Sequence, residues 1–236
     1  MSDLYSTPTV TQFSVGDFYD LHKGKTCLIV GVGPNLHLTP PTLFNYPSFS
    51  VNTIYKTLEK GFFDGWKPTY FVGVDERLRL EDGAALVDVY RDVPKFFPAP
   101  DWDDLSGENI YRFQHRTFGG FSIGSMNARH KDSLTKHGIT YRRVMDAVFQ
   151  IAWYMGFTTM LMIGVQHKPY DEQDSDRAHF WGIDKKAVSN QPNTWWFEGY
   201  KYFAHNMHGV KVLNISEDTY VPEDVLPRDD YRNWLK

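Results

Sequence analysis

The sequence predicts an α/β fold with a doubly wound, mainly parallel sheet, and three observations lead there. Short apolar runs rich in β-branched residues recur near 27–30, 49–52, 69–74, 160–165 and 210–215, with helical patterns between them. The first run stops at once on Gly31-Val32-Gly33-Pro34, a turn of the type at which an open α/β sheet meets a ligand. Between 140 and 155, Val144, Ala147, Val148, Ile151, Ala152 and Met155 fall at i, i+3, i+4, i+7, i+8 and i+11, one continuous helical stripe.

Composition bounds the function. A chain of 236 residues suits one large α/β domain with a full core. The formal net charge is −4 and there is no basic block, so binding to a nucleic-acid backbone has no electrostatic footprint. The single cysteine, Cys27, lies inside the first apolar run and cannot form an internal disulfide, which fits a reducing compartment. No signal peptide or long apolar span opens the chain, and a cytoplasmic location is the expectation. Aromatic residues make up 16% of the chain, enough for a stacking pocket as well as a core.

The elements follow in order. Residues 1–24 form a Ser/Thr-rich lead-in, with a helical turn near 15–21 and Gly24 before the first strand. Cys27 to Val30 is wholly apolar, as a strand buried on both faces requires. Gly31 and Gly33 free the backbone and let a ligand approach it, while Pro34 removes one N–H donor. Pro41 suits the first position of a short helix. Phe49 to Asn52 is the second strand, with Asn52 at its end, and a brief helix over 53–60 stops at Gly61. Pro68 to Asp75 is the third strand. Asp75 either faces the glycine crevice or caps the helix 76–88.

Prolines and glycines punctuate residues 93–137, where only Ile110 to Phe113 alternates like a strand; the rest reads as an irregular insertion or lid. Thr140 is the natural N-cap of the striped helix and Gly156 its stop. Met160 to Val165 is a buried strand that ends on Gln166 and His167. The loop 168–193 carries His179 and several acids at spacings that match no metal motif, so no metal site is assigned. A second helical stripe, Trp196 to Met207, precedes the last strand at 210–215. The tail 217–236 holds Trp234 and Leu235, which are expected to pack back onto the domain spanning 25–216.

Several of these segments together resemble one family. Cys27 to Leu36 is similar to the "hydrophobic strand–GxGPSL" opening of the MptE-like 6-hydroxymethylpterin pyrophosphokinases, Ser50 to Tyr55 to their "VNRIY", and Lys67 to Asp75 to their "PTYYVxxD". Gly138 to Ala147, Gln150 to Ala152, Tyr154, Gly156-Phe157 and Ile163 to Val165 resemble their "G-V-T…A-Q-I-A-Y-x-G-F…I-G-V-D" stretch. His179-Phe180, Glu198, Tyr200 and Asn214 follow in the family's order. The same outline recurs in bacterial CMP-sialic-acid-dependent sialyltransferases and in the Maf-type transferases that glycosylate flagellin.

The resemblance implies a Rossmann-like, nucleotide-binding transferase whose partner is a nucleotide or nucleotide sugar. On it, Gly31, Gly33 and Asn35 cradle the nucleotide, Asn52 bonds its base or sugar, and Thr140 meets phosphate at a helix N-terminus. This chain departs from the pattern at Val32, where the sialyltransferases have Asn, at Asn35 for Ser, and at Gln166, where the family has Asp. The sialyltransferase base, a His four residues beyond a position like His179, is Ile183 here, leaving His179 and His167 as candidate catalytic bases.

Three functions follow. The first is glycosyl transfer from a nucleotide-activated sugar, with His179 as general base. The second is an ATP-dependent pyrophosphokinase of a pterin alcohol, which needs Mg²⁺. The third is a binding or assembly module that keeps the fold without catalysis. The sequence names no acceptor and is compatible with a homo-oligomer.

Overall fold

The computed structural model of the protein describes residues 14–56, 62–116, 131–167 and 194–235. Seven strands, all parallel, form one sheet: β1 (Thr26–Val30), β2 (Ser48–Val51), β3 (Tyr70–Val72), β4 (Lys95–Ala99), β5 (Ile110–Gln114), β6 (Thr159–Ile163) and β7 (Lys211–Asn214). Their order is β5-β4-β3-β2-β1-β6-β7. Three longer helices accompany them: α1 (Glu76–Val89), α2 (Val144–Tyr154) and α3 (Thr194–Asn206).

The sheet is covered on both faces, which is why its strands read as unbroken apolar runs. Successive side chains alternate between two cores. Cys27 and Ile29 join Phe49, Tyr70, Met160 and residues of α2 and α3 in one core. Leu28 and Val30 join Phe71, Leu161, Leu78, Leu86 and Trp102 in the other, beneath α1. Cys27 is fully buried and its thiol is pushed up by burial, so it behaves as a small apolar residue.

Two elements differ from the sequence expectation. The striped helix starts at Val144, not Thr140, because Arg143 is extended (φ −137°, ψ 158°). The cap comes from inside the helix: Asp146 Oδ2 accepts from the backbone N–H groups of Arg142 and Arg143, both at 3.0 Å. β4 is the other difference. It lies within the stretch expected to be irregular and contains Pro98, yet β3 ends at Val72 opposite Phe96. Pro98 therefore sits beyond the β3 pairing, where it owes no N–H to that neighbour.

Lys95 opens β4 fully buried. Its Nζ donates to the carbonyls of Tyr90 (2.6 Å) and Val93 (2.9 Å), just past the end of α1. Burial lowers the ammonium pKa to about 8. At the other edge, Arg228 forms a parallel bridge to Asn214 at the end of β7, and Tyr46 donates to Trp234 O at 2.9 Å. No helix among the described residues is long and apolar enough to cross a membrane.

Candidate functional site

Sequence-consecutive strands leave the β1–β6 boundary in opposite directions, β2 to β5 on one side and β7 on the other. Such a switch point opens a crevice at the carboxyl edge. Val30 and Ile163 are register partners, so Gly31 and Gly164 emerge side by side. A Cβ on Gly31 would stand 2.5 Å from Gly164 O, and one on Gly164 2.6 Å from Gly31 O. Gly164 has φ +65°, which also favours glycine. The two turns fit only because neither has a side chain.

Hydrogen bonds tie them further. Gly31 N–H donates to Ile163 O at 2.8 Å and Gly33 N–H to Gly164 O at 2.7 Å. Both donors are thus engaged by the β6 turn, and what these glycines provide at the crevice is close approach to the backbone.

Asn35 and Asn52 stand out next. Asn35 is 2% exposed, and its Nδ2 donates to Glu217 O at 2.6 Å, while its Oδ1 is buried with no partner. A Cβ on Gly33 would lie 2.9 Å from that oxygen, which therefore packs closely against the glycine backbone. Asn52 follows β2 with φ +50°, and its Oδ1 is likewise buried and unpartnered. Each orphaned acceptor costs about 1–3 kcal/mol, so two at neighbouring strand ends need an explanation.

The β6 exit is pinned by the segment after β7. Gln166 Nε2 donates to Asp218 Oδ2 at 2.7 Å, and Gln166 O accepts from Tyr220 N–H at 2.8 Å. Thr219 Oγ1 donates to Val165 O at 2.7 Å. A Cβ on Gly33 would be 3.1 Å from Gln166 N, so the Gln166 backbone packs against the same glycine as Asn35.

His167 comes next, at φ +50°, with Nε2 2.9 Å from the Tyr200 hydroxyl on α3. Burial, reinforced by Arg143, pushes its pKa down to about 4, so the imidazole is neutral and weakly basic at pH 7. Burial pushes the Tyr200 hydroxyl upward and raises Asp146 to about 6, against the pull of its two backbone N–H partners. His167 thus belongs to a buried polar group with Tyr200.

The remaining expected residues are dispersed. Asp75 caps α1, its Oδ1 accepting from Arg77 N–H at 2.9 Å, at the end of β3 rather than at the switch point. Thr140 lies four residues before α2 and offers its carbonyl to Gln150 Nε2 at 2.8 Å, so it does not sit at a helix N-terminus. His179 lies outside the described residues. Gly164, Asp218 and Tyr200 are the residues of the site that sequence reasoning did not assign to it. A separate pair at the ends of β4 and β5 also went unassigned: His115 Nδ1 is 3.3 Å from Asp101 Oδ2, with the ring stacked on Tyr141 at 4.1 Å. Among the described residues, no three His, Cys, Asp or Glu side chains are grouped to hold a metal ion.

The fold is that of two sialyltransferases from Campylobacter jejuni. The monofunctional α-2,3-sialyltransferase Cst-I superposes with a TM-score of 0.52 at 13% identity, over 87% of this chain and 80% of that one. The sialyltransferase CstII, in complex with the substrate analogue cytidine-5′-monophosphate, gives 0.51 at 11% identity, over 86% and 84%. At such identities the likeness is one of fold. No family model and no curated protein matches the sequence.

Proposed function

We propose that the protein is a nucleotide-dependent transferase of the glycosyltransferase kind, which takes a nucleotide-activated sugar in the crevice between the β1 and β6 turns. One observation carries this reading: the buried, unpartnered Oδ1 atoms of Asn35 and Asn52 at the carboxyl edge of the sheet. Fixed acceptors of this kind are held at a cost and are satisfied when a ligand brings donors to them. The fold supports the class of ligand, since CstII, which shares it, was solved with cytidine-5′-monophosphate.

The reaction is displacement at the anomeric carbon. The acceptor oxygen forms the new bond, the bond to the nucleotide phosphate breaks, and the acceptor proton passes to a base. His179 is the proposed base, the histidine left near the place where the resembled sialyltransferases carry theirs and this chain has Ile183. His167, neutral and bonded to Tyr200, is assigned to holding α3 against the β6 turn.

Thermal melting with CMP, UDP, GDP and ATP, each with and without Mg²⁺, tests the proposal. Stabilisation by a CMP- or UDP-type ligand without metal, weakened in Asn52→Gly, supports it. Stabilisation by ATP with Mg²⁺ alone transfers the reading to the pterin pyrophosphokinase, and a flat panel transfers it to a binding module.

A further inference from the structure

A second polar group stands at the far end of the same sheet edge. Ala99 and Gln114, the last residues of β4 and β5, are register partners, so Asp101 and His115 come out together just beyond them. His115 Nδ1 lies 3.3 Å from Asp101 Oδ2, and the ring is stacked on Tyr141 with centroids 4.1 Å apart and planes at 21°. The backbone before Tyr141 is fixed as well. Ile139 forms a parallel bridge to His115, and its N–H donates to Gln114 O at 2.9 Å. Gly138, at φ +67°, approaches so closely that a Cβ there would stand 2.5 Å from Gln114 O. Burial and the Asp101 charge push the Tyr141 hydroxyl upward, so it stays a donor.

A carboxylate on Nδ1 holds the imidazole as the Nδ1–H tautomer and leaves the Nε2 lone pair as an acceptor. Among the described residues Nε2 has no hydrogen-bond partner, and 19% of the side chain meets solvent. The next two acids are engaged elsewhere, Asp103 by Arg112 and Asp104 by Arg79, while Asp101 has an oxygen unused by the His115 bond. Solvated His–Asp pairs add little to stability, so this one is not needed to hold β4 to β5. A hydroxyl is the group that suits Nε2, and a neighbouring hydroxyl can reach the second Asp101 oxygen or the Tyr141 hydroxyl. Adjacent hydroxyls are the mark of a carbohydrate.

All seven strands are parallel, so the ends of β2 and β5 open on one edge, three strand spacings or about 14 Å apart. The backbone from Ile139 to Arg143 runs along it. Ile139 bridges His115, and Arg143 is near enough to His167, at the exit of β6, to act on its charge. A nucleotide anchored at Asn52 and extended by its sugar would lie along this edge. Building on the proposed nucleotide site, we infer that His115, oriented by Asp101, binds the acceptor of the transfer, a carbohydrate that donates to Nε2 from a hydroxyl beside the reacting one.

Histidine-selective nitrogen–proton NMR of the full chain tests the inference, with methyl β-galactoside, methyl β-glucoside and methyl α-mannoside as probes and calorimetry of CMP alongside. The His115 signal is the one missing from His115→Phe, a variant that keeps the stack on Tyr141, leaves Asp101 in water and is expected to fold. His115 should show the Nδ1–H tautomer, and at least one glycoside should shift its Nε2 resonance saturably. By saturation-transfer NMR, His115→Phe should bind that glycoside about tenfold more weakly while binding CMP as before. His115→Gln, which returns an acceptor oxygen near the place of Nε2, should recover part of the loss. Asp101→Ala should lose the tautomer and the glycoside together, whereas Asp101→Asn, whose amide oxygen still accepts from Nδ1–H, should keep both.

If CMP binds but no glycoside moves His115, the inference fails and the nucleotide site stands. A glycoside bound equally well by His115→Phe also overturns it. So does weaker CMP binding in that variant, which assigns the pair to the donor. If a glycoside binds at His115 and no nucleotide binds anywhere, the transferase reading is refuted and the acceptor role with it.

Discussion

Asn52→Gly separates the two things Asn52 does: it holds a left-handed backbone at φ +50° and it carries a buried, unpartnered oxygen. Glycine accepts that backbone at a cost of about 0.5–1 kcal/mol in chain entropy. Removing the orphaned acceptor returns about 1–3 kcal/mol. The ligand-free variant should therefore be as stable as the wild type or up to about 2 kcal/mol more stable. For a chain of this size that is a rise of as much as about 4–8 °C in Tm. Asn52→Ala removes the same oxygen but must keep a Cβ in the left-handed region, at about 1–2 kcal/mol, and should melt below Asn52→Gly. Ligand moves the balance back toward the wild type by about 1.3 kcal/mol. At a concentration of about 100 Kd the wild type gains about 2.7 kcal/mol, and a tenfold weaker variant gains about half of that. Differential scanning calorimetry of the three proteins, with and without CMP, reads each of these differences. An Asn52→Gly protein that melts well below the wild type, or that keeps the full ligand shift, would refute the claim that this oxygen waits for a ligand.

Three further outcomes follow from the geometry. Gly164→Ala puts a Cβ 2.6 Å from Gly31 O at φ +65°, so urea denaturation should show a loss of about 3 kcal/mol or more. His167, with a folded pKa of about 4 against an ordinary 6.5, binds fewer protons folded than unfolded, so it makes stability rise with pH between 4 and 6.5. Asp146, raised to about 6 from 3.8, does the opposite over pH 3.8 to 6. The wild type should be nearly flat across pH 4–6, His167→Asn should lose stability as pH rises there, and Asp146→Asn should gain it, each by about 3 kcal/mol across its window; parallel slopes in chemical denaturation would refute both assignments. Lys95, lowered to about 8 from 10.5, leaves the unfolded chain with more bound protons above pH 8, so stability should rise from pH 8 to 9, below the range where the buried Cys27 thiol opposes it, and that rise should vanish in Lys95→Met.

Six of the seven strands are legible in the sequence: five as short apolar runs that burial on both faces leaves, and β5 as the alternation from Ile110 to Phe113. β4 was hidden by its ends, a buried lysine and a proline, whose tolerance depends on α1 and on where β3 stops. The true start of α2 was hidden because its cap reaches back from Asp146 rather than forward from Thr140. Asn35 and Asn52 could be picked out because each closely follows a strand. Asp218 had no local mark: it meets Gln166 across 52 residues, through a bond that exists only once β6 and β7 are paired.

The bond from Asn35 to Glu217 spans 182 residues, and that from Tyr46 to Trp234 spans 188. The glycine turn after β1 is synthesised well before the residue that fixes its asparagine. Contacts of such sequence separation form late, since they carry the largest loop-closure cost. A nascent chain therefore has β1 to β6 made before the bond that holds Asn35 can form. The buried setting of Asn35 is thus completed only with the segment that follows β7.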